Sequence, residues 1–126
     1  MSEGLLDTSV LITAGDELGG FATGAISVIT IGELSAGVTL ARSPEVRAAR
    51  QRRLVRLRAT FEVLVVDEVV AEAYGDLLAF ARSERRITSA TDLLIVATTA
   101  ASGRTLHTAD EAQARLATAF GVPVAS

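Results

Sequence analysis

Four short, largely apolar runs, Gly4–Leu6, Ala25–Ile29, Glu62–Val66 and Thr105–Thr108, are each followed by a stretch with helical spacing. Strands that alternate with helices favour right-handed βαβ units, which build a parallel sheet covered by helices on both faces. The expected fold class is therefore α/β, a three-layer α/β/α sandwich with a central parallel sheet of four to five strands. Gly121-Val122-Pro123-Val124 is the candidate for the fifth strand, at an edge. At 126 residues and 49% hydrophobic, the chain fits one domain, 1–126, able to bury roughly two-thirds of its unfolded surface.

The helical segments have distinct signatures. A first begins near Val10, and a second runs from about Ile31 to Ala41 with Glu33 and Leu34 in its first turn. Ser43-Pro44 marks the start of a third, since Pro fits a first helical position. Its apolar residues Val46, Leu54, Leu57 and Phe61 share one face, and Arg50 and Arg53 project close to that face. Arginines so placed point to a groove, a partner or a phosphate. Asp67 opens a fourth helix with Val70, Ala73, Tyr74, Leu77 and Ala81 at helical spacing, stopped by the charged run Arg82–Arg86. Leu93–Ala97, headed by Asp92, is apolar all round and reads as a buried helix. A last helix runs from Asp110 to Phe120.

Four carboxylates, Asp7, Glu33, Asp92 and Asp110, stand where strand gives way to helix. In a parallel sheet the carboxyl ends of the strands share one edge, where ligands bind. At about 5 Å and an effective dielectric of about 20, each ionised pair there repels by roughly 3 kcal/mol. A hard divalent cation turns such a cluster into a site suited to phosphodiester hydrolysis. Each acid alone also has an ordinary explanation. Thr30–Glu33 and Thr108–Glu111 match the S/T-x-x-E capping box, Ser89–Asp92 matches its Asp form, and Asp7 suits a helix N-cap. What favours a site is the set, and above all Asp92, an ionisable group at the head of a buried helix. Asp16, Glu68 and Glu72 read as surface charge, and His107, inside a strand, as a packed residue. Thr108 is placed either to cap or to orient a metal or its water.

Composition removes several chemistries. There is no Cys, so disulfides, thiolate sites and thiol nucleophiles are excluded, and a single His rules out a multi-His centre within one chain. All twelve basic residues are Arg; with no Lys or Asn present, this usage points to a GC-rich bacterial gene. The net charge of −3 is unevenly spread, with seven Arg against one acid, Glu45, between Arg42 and Arg58. No apolar run approaches the roughly 20 residues that span a bilayer, and Met1–Ile12 lacks the basic start of a signal peptide, so a cytoplasmic protein is expected.

Four segments in series carry a family likeness: Leu5–Ile12, Ser27–Leu34, Thr91–Ala97 and Leu106–Asp110. In order and spacing they resemble the PIN domain, in particular the small VapC-type ribonuclease toxins of bacterial toxin–antitoxin pairs. The resemblance implies that Asp7, Glu33, Asp92 and Asp110 form an acidic pocket holding Mg²⁺ or Mn²⁺. It further implies that a metal-activated water hydrolyses an RNA phosphodiester, with no side-chain nucleophile. A homodimer and a cognate VapB-type antitoxin covering the groove are implied as well, with Arg50 and Arg53 as candidate RNA or antitoxin contacts. Val96 and His107 depart from the family pattern, and neither belongs to the acid set. A housekeeping PIN nuclease of RNA maturation and a non-catalytic RNA-binding PIN module are the alternatives. A receiver domain or a haloacid-dehalogenase-like phosphatase would need a Lys that this chain lacks. A dinucleotide-binding domain would need a Gly-rich turn where Leu6-Asp7-Thr8-Ser9 stands.

Overall fold

The apolar pair Leu5-Leu6 shows how the layers arise, because successive side chains of a strand point to opposite faces. In the computed structural model, which describes residues 3–14 and 23–125, both are fully buried and each belongs to a different core. Leu5 packs with Val70, Leu77, Ile95, Val96, Leu106 and Leu116. Leu6 packs with Leu11, Ile26, Leu57 and Phe61. Two cores, one on each side of a sheet, make the expected three-layer sandwich.

The elements are β1 (Gly4–Leu6), α1 (Thr8–Ala14), β2 (Ala25–Ser27), α2 (Val28–Thr39), α3 (Pro44–Thr60), β3 (Glu62–Leu64), α4 (Glu68–Ser83), α5 (Ala90–Ala101), β4 (Thr105–His107) and α6 (Glu111–Phe120). The sheet is parallel, in the order β3-β2-β1-β4. Its register sets Leu5 opposite Ala25 on one side and opposite Leu106 on the other. The chain thus builds outward from β1 to β3 and returns to place β4 on the far side of β1. That reversal is a topological switch point, and the crevice beyond the carboxyl ends of β1 and β4 is where such sheets bind ligands.

Several expectations shift. The strand read over Ala25–Ile29 ends at Ser27, whose side chain accepts the Ile29 N–H at 3.0 Å and caps α2. Glu33 therefore lies beyond the first turn, and the Thr30–Glu33 capping box does not form. The β-branched run from Val28 to Ile31 reads as strand by propensity, and the Ser27 cap overrides it. The second box is also displaced, because Asp110 rather than Thr108 caps α6, accepting from the N–H groups of Ala112 and Gln113. Ser89 does cap α5 through the Asp92 N–H. The fifth strand shrinks to one bridge between Leu106 and Val124, since Pro123 has no N–H to extend a ladder. Along α3, Leu54, Leu57 and Phe61 are buried but Val46 is 43% exposed. Asp16 lies outside the described residues, and Glu68 and Glu72 are exposed as expected.

Candidate acidic site

Asp7 is the residue around which the site is built. It follows β1 directly, its N–H bonds the His107 carbonyl at 2.9 Å to prolong the β1–β4 ladder, and only 4% of it is exposed. Three hydrogen bonds reach its carboxylate, from the Ser9 N–H at 3.3 Å, the Ser9 hydroxyl at 2.6 Å and the Thr108 hydroxyl at 3.1 Å. All three fall on Oδ2, and among the described residues no cation is paired with it. The backbone N–H is expected of a helix cap; the two hydroxyls hold one oxygen and leave Oδ1 for another partner.

Thr108 and Ser9 tie the ends of β1 and β4 together. The Ser9 hydroxyl accepts the Ala109 N–H at 2.9 Å, and the Thr108 hydroxyl accepts the Asp110 N–H at 3.0 Å. Thr108 also lies 2.8 Å from Oε1 of Gln113, a buried side chain that sequence reasoning missed. A lone Gln on an amphipathic helix carries no periodic signal, so only the fold reveals it. Ser9, another omission, stands two residues from Asp7 in the Asp7-Thr8-Ser9 turn, a spacing suited to side-chain turn bonds.

The remaining acids arrive by different routes. Asp110 reaches the crevice from β4 and doubles as the cap of α6. Asp92 follows no strand; α4 and α5 are consecutive, and it sits in the first turn of α5. Burial raises its carboxyl above the usual 3.8, the charges of Asp7 and Asp110 push in the same direction, and a Ser89 hydrogen bond opposes them. The three acids therefore share one field. Glu33 stands apart, its carboxylate accepting from the Thr8 hydroxyl at 2.7 Å, and it lines a separate groove between α1, α2 and α3. Arg50 and Arg53 line that groove too, donating to the carbonyls of Gly37 and Leu11 respectively.

Among the described residues no three His, Cys, Asp or Glu side chains close into a ready cation cage. The donor set still fits a hard ion. It consists of oxygens, with one oxygen of a buried carboxylate left without a hydrogen bond. Mg²⁺ in particular keeps several waters and needs only one or two carboxylates together with substrate phosphate. His107 is no part of this set. Its ring lies against Gly4, and burial lowers its pKa from 6.5.

An acid-lined crevice at the switch point of a parallel three-layer sandwich is the form of the PIN domain, and the chain belongs to that family, matching its model over residues 4–119. It is 38% identical over 112 residues to Ribonuclease VapC4 of Mycobacterium tuberculosis, spanning 84% of this chain and 85% of that one. Among solved structures it resembles VapBC-5 of Mycobacterium tuberculosis, a member of the VapBC family of toxin–antitoxin systems, at TM-score 0.83 and 30% identity over 99% of this chain and 97% of that one. It also resembles FitAcB from Neisseria gonorrhoeae, at TM-score 0.80 and 26% identity over 98% and 96% of the two chains. No described helix is long and apolar enough to cross a membrane.

Proposed function

We propose that this chain is a divalent-cation-dependent endoribonuclease and the toxin half of a toxin–antitoxin pair, working as a single cytoplasmic domain. The observation that carries the reading is Asp7, a buried carboxylate held on one oxygen by Ser9 and Thr108 and sharing its field with Asp92 and Asp110. The likeness to a named ribonuclease and to VapBC structures supports the substrate class and the antitoxin partner.

Asp7, Asp92 and Asp110 are the residues that hold Mg²⁺ or Mn²⁺, with Glu33 contributing from the neighbouring groove. When bound, such a cation supplies a nucleophilic water at neutral pH and offsets charge on the phosphate. The chain's own part is orientation. Ser9 and Thr108 fix the Asp7 carboxylate, Asp110 is fixed by its bonds to the first turn of α6, and Thr8 fixes Glu33. Because the pocket is negative, substrate phosphate approaches only where a cation or an Arg meets it. Arg50 and Arg53 give the Glu33 groove its positive side, facing RNA or a covering antitoxin segment, and a homodimer completes the assembly.

Incubation of partner-free protein with total bacterial RNA in Mg²⁺, in Mn²⁺ and in EDTA, with mapping of new 5′ ends, tests this. Discrete cation-dependent cuts that vanish in Asp92→Asn are expected. A folded protein that cuts nothing with either metal would leave an RNA-binding module in place of an enzyme.

A further inference from the structure

The acids face two recesses, and the Glu33 groove accounts for only one. The second, about 450 Å³, lies between the α4–α5 turn and α6, and Asp92, Asp110, Arg86, Ile87 and Arg115 are among its lining residues. Its guanidinium groups do not neutralise its carboxylates. Arg86 pairs through Nε with Glu84 at 3.0 Å, Arg115 reaches Glu111 at 4.0 Å, and neither pairs with Asp92 or Asp110. Exposed pairs of that kind contribute about 0–1 kcal/mol, so both guanidiniums can turn to a stronger acceptor. The terminal nitrogens of Arg86 make no hydrogen bond among the described residues.

A recess that keeps carboxylates and guanidiniums unpaired is complementary to a ligand carrying both signs. A free anion meets two acids there, and a free cation meets two arginines. A phosphodiester chain accompanied by a divalent ion satisfies both. Ile87 adds a third feature, for it is fully exposed at this recess, two residues after Arg85, which has a left-handed φ of 55°. An aliphatic side chain left in water there gains by covering a splayed base, and single-stranded or looped RNA presents such bases.

We infer that Arg86 and Arg115 form a phosphate subsite for the RNA strand beside the scissile bond, with Ile87 against the adjoining base; this rests on the ribonuclease reading above. The strand then lies along the α4–α5/α6 recess as it meets the acids.

The test compares wild type with the Arg86→Gln/Arg115→Gln double variant, cutting the RNA identified by end mapping, in Mg²⁺ at several salt concentrations. KM should rise about tenfold or more, with kcat within about twofold, and the logarithmic salt dependence should flatten by about 2, one for each lost phosphate contact. Mn²⁺ affinity should not fall. Ile87→Ser should raise KM without changing the salt dependence. An unchanged KM and salt slope in the double variant would overturn the subsite while leaving the nuclease intact. If wild type cuts no RNA, the ribonuclease reading fails by itself, and the subsite is read from the anisotropy of a labelled single-stranded RNA in Ca²⁺. Weaker binding by the double variant then keeps the subsite, and equal binding overturns it.

Discussion

Asp92 shows at a single residue how a site and a fold compete. It sits in the first turn of a helix whose next residues Leu93, Ile95, Val96 and Ala97 are buried, and it shares its surroundings with two other acids. A carboxyl whose folded-state pKa is raised favours the fold while protonated. That contribution is present below the unfolded value of 3.8 and is lost as pH rises through the raised folded value. At neutral pH without metal, ionised Asp92 therefore works against folding. In EDTA at pH 7, Asp92→Asn should melt at or above the wild-type temperature by circular dichroism, and the gap should narrow as pH falls towards 4. A markedly lower melting temperature for the variant at pH 7 would mean that the side chain is structural.

Among the elements, β1 and β4 carry the site, and their contact is unusually close. A Cβ on Gly4 would lie 2.5 Å and 2.6 Å from Cδ2 and Nε2 of His107, so the ring occupies the space that any other residue in β1 would fill. Gly4→Ala should cost about 1–3 kcal/mol, as overpacking does, and lower the melting temperature by several degrees. Combining it with His107→Ala should restore most of the loss. No recovery would show that the two residues are not coupled. This pair also marks the limit of what was legible in the sequence. The βα alternation, the parallel sheet and the acids Asp7 and Asp110 followed from short apolar runs and their ends. The start of α2 did not, because β-branched residues fit strand and helix alike until Ser27 captures the Ile29 N–H. Nor did the separation of Glu33 from the other acids, which depends on how α2 lies against α1 and α3. The Gly4–His107 contact was equally hidden, being a matter of register between strands 100 residues apart.

For the whole molecule, the order β3-β2-β1-β4 does most to create function. It sets the ends of β1 and β4 side by side, so Asp7 and Asp110 share a crevice, and α5 brings Asp92 to it. Two recesses then open beside the acids, one through Glu33 with Arg50 and Arg53, the other through Arg86 and Arg115. A negative centre with arginines in both flanking recesses suits a polyanion that approaches with a cation. The central claim is that the acids share that cation. Titration of Mn²⁺ into the metal-free protein, with the free ion followed by electron paramagnetic resonance, tests it most directly. Wild type should take up Mn²⁺, and Asp7→Asn and Asp92→Asn should each bind it at least about tenfold more weakly, the loss expected when a metal centre is disturbed. Equal uptake by all three proteins, or none by wild type, would contradict it.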